Sequence, residues 1–237
     1  MSDGSGGSSP SLARDGEVLI LSLGSGENRL SPGWLKKVGD LLDEVEAWQD
    51  PRALVTTATG KFWSNGLDLA AMAEMSRPQS GAFVTDVNGL FARVLTLPLP
   101  TVAALQGHAF AAGAMLAIAH DMRVMRSDRG FICFPEVDIG MVFNAGMTCL
   151  IQAKLCPAVA HEAMTTGRRY AGPAALSANL ANSAVVEEDL LGTAVELARS
   201  LAPKSSPALG AIKRQMYWQV TAALRQDAPA PDLPRAS

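Results

Sequence analysis

Cysteine and histidine are scarce in this 237-residue chain, with three of each. Cys133, Cys149 and Cys156 form no CxxC pair, and an odd, irregular set argues against a disulfide scaffold and fits a reducing compartment. His108, His120 and His161 lack the HExxH or HxH spacing of a zinc site, so no metal centre is expected. Aromatic residues are 5% of the chain, and no RNA-stacking motif is present. Lys plus Arg (20) against Asp plus Glu (23) gives a net charge of −3, so no basic excess points to nucleic acid. GxSxG, the phosphate-binding P-loop and GxGxxG are all absent, which argues against serine hydrolases, nucleotide triphosphatases and dinucleotide oxidoreductases. Long apolar runs are missing too. The most apolar window, Thr101 to Ala119, is interrupted by Gln106, Gly107, His108 and Gly113. A membrane span needs about 20 predominantly apolar residues, so a buried strand followed by a buried helix is expected there instead.

What is present suits a globular chain of one large domain, or one domain plus an appendage: 48% hydrophobic and 18% charged residues can bury a sizeable core. Residues 1–16 open with MSDGSGGSSPS, without a charged n-region or apolar h-region, and are expected to form a flexible tail. The end, Pro234-Arg235-Ala236-Ser237, is not an SKL-type peroxisomal address. The Pro-rich stretch 228–237 is expected to be a second loose tail.

Between the tails, EVLILSL (17–23), ALVTT (53–57), TVAAL (101–105), MRVMR (122–126), FICF (131–134) and 183–186 read as strands. The strands 122–126 and 131–134 flank a turn at 127–130. Ser31-Pro32 is an N-cap with proline at the first helical position, and Trp34, Leu35, Val38, Leu41, Leu42, Val45 and Trp48 form the apolar stripe of a helix over 32–48, ended by Pro51. Further helices are expected over 69–75, 81–97, 112–120, 144–156, 158–166, 172–179, 188–202 and 204–225, with 60–68 a loop. Strands alternating with helices, then a helical last third, make an α/β fold without an evident internal repeat.

Three stretches carry candidate chemistry. Glu136 follows a buried strand and Pro135, where a carboxylate sits at a cleft rim; burial there would raise its pKa into the range of a general base. An exposed loop glutamate is the other reading. Phe62 to Leu69 is a glycine-bearing loop leading into a helix, and Gly107 to Ala114 runs from a strand into a helix. Two helix starts meeting there would present free N–H groups to a developing oxyanion; packing loops are the alternative.

These three stretches, in this order, resemble the crotonase (enoyl-CoA hydratase/isomerase) superfamily over about Glu17 to Leu197. The likeness rests on Phe62-Trp63-Ser64-Asn65-Gly66-Leu67-Asp68-Leu69, Gln106-Gly107-His108-Ala109-Phe110-Ala111-Ala112-Gly113 and Pro135-Glu136-Val137-Asp138-Ile139-Gly140. Gly26 to Pro32, Ser64-Asn65-Gly66 and Glu136 to Gly140 look closest to the plant-type Δ3-Δ2-enoyl-CoA isomerases. The resemblance implies a ββα superhelix core over 17–200 and a C-terminal helical trimerisation region over 201–227. It implies an oxyanion hole on the backbone N–H groups of Leu67 and Ala112, and a catalytic Glu136. Arg29, Ser64, Asn65, Gly66, Asp68, Leu69, Gly113 and Met115 are implied as substrate-binding residues.

Met115 occupies the position of the hydratases' second glutamate, and Asn144 that of the dienoyl-CoA isomerases' extra aspartate. One acid remains, the pattern of a single-base isomerase in fatty acid β-oxidation. The thioester of coenzyme A is then the substrate, with no metal or redox cofactor. Other crotonase-type activities (weak hydration, thioester hydrolysis) and non-catalytic acyl-CoA binding stay open, as do a peroxisomal and a bacterial cytoplasmic location. Met72, Met75, Phe83, Phe91 and Met141 line the acyl tunnel or belong to the core. Ala208, Ile212, Met216 and Val220 form an apolar face that serves a homotrimer, a dimer of trimers, or intramolecular packing.

Overall fold

The structure, a computed structural model, describes residues 8–48, 50 and 52–233. Pro51 and the terminal Pro234–Ser237 lie outside the described residues. Two sheets share the strands. The larger has six, in the order β1 (Ser11–Asp15), β2 (Val18–Ser22), β3 (Ala53–Thr57), β5 (Thr101–Leu105), β7 (Met122–Arg126) and β9 (Ser183–Val185). The smaller holds β4 (Phe62–Ser64), β6 (His108–Phe110) and β8 (Ile132–Cys133). All pairings are parallel except β1 with β2.

The chain therefore climbs in turns. It leaves the large sheet at β3, passes through β4, and returns along α2 (Leu69–Ala73) and α3 (Arg77–Thr96). It repeats the move through β5, β6 and α4 (Ala112–Ala119), then through β7, β8, a 3-10 turn at Pro135–Val137 and α5 (Ala145–Lys154). This is the expected ββα superhelix, a structural repeat without a sequence repeat. β7 and β8, adjacent in sequence, belong to different sheets because the turn between them crosses from one layer to the other.

Local chemistry explains most elements. α1 (Pro32–Ala47) starts where Ser31 Oγ accepts from Trp34 N at 3.3 Å, and it buries Val38, Leu41, Leu42 and Val45. α3 carries a capping box, with Ser76 and Gln79 satisfying each other's backbone. α4 is buried at every position, so its small apolar residues read as a continuous run rather than a stripe. α6 (Pro157–Thr166), α7 (Gly172–Ser177) and α8 (Glu187–Leu201) follow, and α8 packs on the outer face of the large sheet. No helix among the described residues is long and apolar enough to cross a membrane.

Four expectations need correction. Residues 11–15 are not part of a loose tail: they form edge strand β1, paired with β2 throughout. The stretch 60–68 contains β4, and 107–111 contains β6. The helix expected over 204–225 breaks at Tyr217 (φ −112°) into α9 (Pro207–Met216) and α10 (Trp218–Leu224). The bend lets Lys213 Nζ reach the Leu99 carbonyl at 2.8 Å and the Asp121 carboxylate, while α10 turns to bury Val220 and Leu224 against α3 and α5. Finally, residues 228–233 are ordered: Ala228 N donates to Thr85 Oγ1 at 2.9 Å, and Leu233 packs on the core.

Candidate active site

A cavity of about 540 Å³ opens where the two glycine-bearing loops meet Glu136. The first loop is held from behind. Asn28 donates its Nδ2 to the Phe62 and Trp63 carbonyls at 3.1 Å, and Ser64 Oγ donates to the Asn28 carbonyl at 2.8 Å. Leu30 then pairs with Leu67: Leu30 N donates to the Gly66 carbonyl at 2.8 Å, and Asp68 N donates to the Leu30 carbonyl at 2.9 Å. That parallel bridge uses the groups on either side of Leu67, so the Leu67 N–H points away from it and has no partner among the described residues.

The second loop ends in Ala111, whose φ of 50° is rarely adopted by a residue with a Cβ. Ala111 N donates to the Cys133 carbonyl at 3.0 Å, and its own carbonyl accepts from Met115 N. α4 begins at the next residue, so the Ala112 N–H is one of the unpaired donors of a helix start. The loops touch at Gly66 (φ +81°): a Cβ there would stand 3.0 Å from both the Ala111 Cβ and the Phe110 carbonyl, and 3.4 Å from the Ala112 N. Two free N–H groups thus border one cavity from neighbouring loops.

Glu136 completes the wall from the 3-10 turn after β8. Its side chain is 6% exposed, and its Oε2 has no hydrogen-bond partner among the described residues. Burial pushes the carboxyl up to about 7. Pro135 and the bonds from Ile139 N and Met141 N back to this turn hold its backbone. A buried carboxylate with a free oxygen and a pKa near neutrality can accept and return a proton.

The implied site residues divide in two. Arg29, Asn65, Leu67, Leu69, Ala112, Met115 and Glu136 line the cavity. Ser64, Gly66, Asp68 and Gly113 stand behind the wall. Ser64 ties the loop to Asn28, Asp68 caps α2 through Ala71 N at 3.2 Å, and Gly113 packs against Ser64 so closely that a Cβ would lie 2.5 Å from its carbonyl oxygen. Arg29 is ion-paired with Glu27, which holds the Glu27 carboxyl below its usual range. Asn144 lines the cavity while capping α5, its Oδ1 accepting from Met147 N at 2.9 Å. Of the five proposed tunnel residues only Met141 lines the cavity; Met72, Phe83 and Phe91 are core residues, and Met75 packs against that core. Apolar spacing alone could not separate the two uses. Val84, Val142, Met147, Arg77 and the segment Pro229–Asp232 line the cavity without having been singled out, as does Phe110, quoted only as part of the second stretch.

The fold is of the crotonase type, and the chain belongs to the enoyl-CoA hydratase/isomerase family, whose profile matches residues 18–230. Among its relatives, the peroxisomal enoyl-CoA delta isomerase 2 of Arabidopsis thaliana is 36% identical over 220 residues, covering 87% of this chain and 91% of the relative. Carnitinyl-CoA dehydratase of Escherichia coli K12 is 31% identical over 206 residues, covering 85% and 77%. A solved structure of a probable enoyl-CoA hydratase from Mycobacterium tuberculosis superposes with a TM-score of 0.85 at 26% identity, covering 92% of both chains.

Proposed function

We propose that this protein is a Δ3-Δ2-enoyl-CoA isomerase of fatty acid β-oxidation that works with one base. The carrying observation is that Glu136 is the single buried carboxylate among the described residues: it faces the cavity with a free oxygen, while the neighbouring lining positions hold Met115 and a capping Asn144, and the lining Asp232 is exposed and paired with Arg77. The thioester oxygen of a 3-enoyl-CoA sits between the Leu67 and Ala112 N–H groups. Glu136 takes a proton from C2, and the electron pair moves to give a dienolate with its charge on the thioester oxygen. Glu136 then returns the proton to C4, and the double bond ends between C2 and C3. One base serves both steps because C2 and C4 share one face of the allylic system. Each N–H donor contributes about 3 kcal/mol to lowering the barrier.

The first test is incubation with a 3-enoyl-CoA, without metal or nicotinamide. The expected result is conjugated 2-enoyl thioester, seen by its ultraviolet absorbance and by coupling to added hydratase. Saturable acyl-CoA binding with no product would replace this reading by a non-catalytic binder, and free thiol release would replace it by thioester hydrolysis.

The protein is further proposed to assemble as a homotrimer through α9 and the start of α10. Ile212, Met216 and Trp218 there are 55%, 64% and 57% exposed, an apolar patch that favours cover by a partner. Val220, on the same expected face, is instead buried within the chain. Light scattering is expected to give the mass of three chains, and a monomer mass would overturn this assembly.

A further inference from the structure

The C-terminal segment 228–232 lies along one face of α3. Ala228 N bonds Thr85 Oγ1 at 2.9 Å. Gly81 leaves room for the backbone beside it: a Cβ there would stand 3.0 Å from the Ala228 carbonyl and 3.4 Å from Ala230 N. Asp232 closes the track by pairing with Arg77 at 3.2 Å. Arg77, Gly81 and Thr85 are spaced by four residues, so they share a helix face spanning about 12 Å. Four residues of extended Pro-rich chain, at about 3.1 Å each, cover the same length. The match between Ala228-Pro229-Ala230-Pro231-Asp232 and its track is therefore one of length as well as contact.

This segment is also a thin wall. Pro229, Ala230, Pro231 and Asp232 line the cavity that holds Glu136. The same segment borders a surface groove of about 290 Å³, lined by Arg77, Gly81, Thr85, Ala228 and Ala230 among others. Arg77 and Ala230 border both spaces, so the cavity and the groove adjoin at this segment.

We propose that residues 228–232 form a strap that closes one wall of the acyl chamber and sets the upper limit of acyl chain length. The inference rests on the reading that this cavity takes the acyl part of a CoA thioester. Proline restricts the strap's backbone, so it needs little ordering to act as a wall. With the strap in place, long acyl chains meet it; displaced, the chamber joins the outer groove and they pass.

Two changes test this. One ends the chain at Asp227. The other, Gly81→Leu, keeps every strap residue but places a side chain where the Ala228 carbonyl lies, and leucine suits a helix better than glycine. Binding of saturated hexanoyl-, decanoyl- and hexadecanoyl-CoA is measured by calorimetry, which needs no turnover. The intact protein is expected to bind the hexadecanoyl thioester at least tenfold more weakly than the decanoyl one. Both variants are expected to erase that difference. A length limit that persists in both variants, or an intact protein without one, overturns the proposal. If the shortened chain fails to fold, Gly81→Leu decides. A length limit that behaves as expected in a protein that does not shift the double bond keeps the strap and removes the isomerase reading.

Discussion

Replacement of Glu136 by glutamine is expected to lower kcat by about 10²–10⁴-fold, the usual worth of a positioned base. Affinity for saturated acyl-CoA stays near the intact value, because the amide keeps the shape of the acid and the N–H donors are untouched. The pH dependence follows from burial. Proton abstraction needs the carboxylate, and the carboxyl titrates at about 7, so kcat/KM of the intact enzyme rises with pH and levels off above that value. The same burial acts on stability in the opposite sense. The unfolded chain ionises Glu136 at its ordinary value of 4.5, whereas the fold resists ionisation until about 7. Stability associated with this group is complete below the unfolded value and is lost as pH rises through the folded one. The difference, at 1.36 kcal/mol per unit, is at most about 3 kcal/mol. Glu136→Gln removes that loss. In mildly alkaline buffer the variant is expected to melt above the intact protein, and the gap closes in acid. Retention of most activity would sink the single-base mechanism; an unchanged melting difference across pH would mean that the carboxyl is not held neutral by burial.

The site was legible in the sequence to the extent that its chemistry is local. Glu136 follows a buried strand and a proline, a context that suggests a carboxylate at a cleft rim but equally suits an exposed loop; its burial shows only in the fold. The stripe of α1, with Ser31-Pro32 before it, needs no tertiary help to be read. The short strands of the small sheet were not legible: β4 and β6 have three residues each, too few for alternation to show, and they exist only through their partners. β1 is mostly exposed and carries one large apolar residue, Leu12, so its pairing with β2 left little trace in its composition. The strap was hidden for a related reason. A Pro-rich segment has no internal hydrogen bonds and reads as loose; its order comes from a track on α3 that is far away in sequence. At Tyr217 an unbroken helical pattern gives way to a bend, with Lys213 bound to Asp121 before it and Val220 buried in the core after it, and both are tertiary contacts that the pattern does not show.

The proposed oxyanion hole consists of backbone N–H groups, so it is tested through geometry, and Gly66→Ala supplies the change. A Cβ at this residue meets the Ala111 Cβ and the Phe110 carbonyl at 3.0 Å, and the Ala112 N at 3.4 Å. The neighbours cannot yield easily: Ala111 already holds a positive φ, its N–H is tied to Cys133, and α4 behind it is buried throughout. Gly66 itself sits at φ +81°, where a side chain adds strain of about 1–3 kcal/mol. The Gly66 loop must therefore move, and it carries the Leu67 N–H away from the Ala112 N–H. Losing one such donor costs about 10²–10³-fold in kcat, so a fall of that order is expected. The pH midpoint of kcat/KM stays at the Glu136 value, because the base is untouched; a shift in that midpoint would show that the change acts through the carboxylate instead. Gly39→Ala, in α1 with nothing within 4 Å of the added atom, is the matched control and keeps full activity. If Gly66→Ala folds and turns over at the intact rate, the Leu67 N–H is not stabilising the dienolate, and the hole must be sought at another donor.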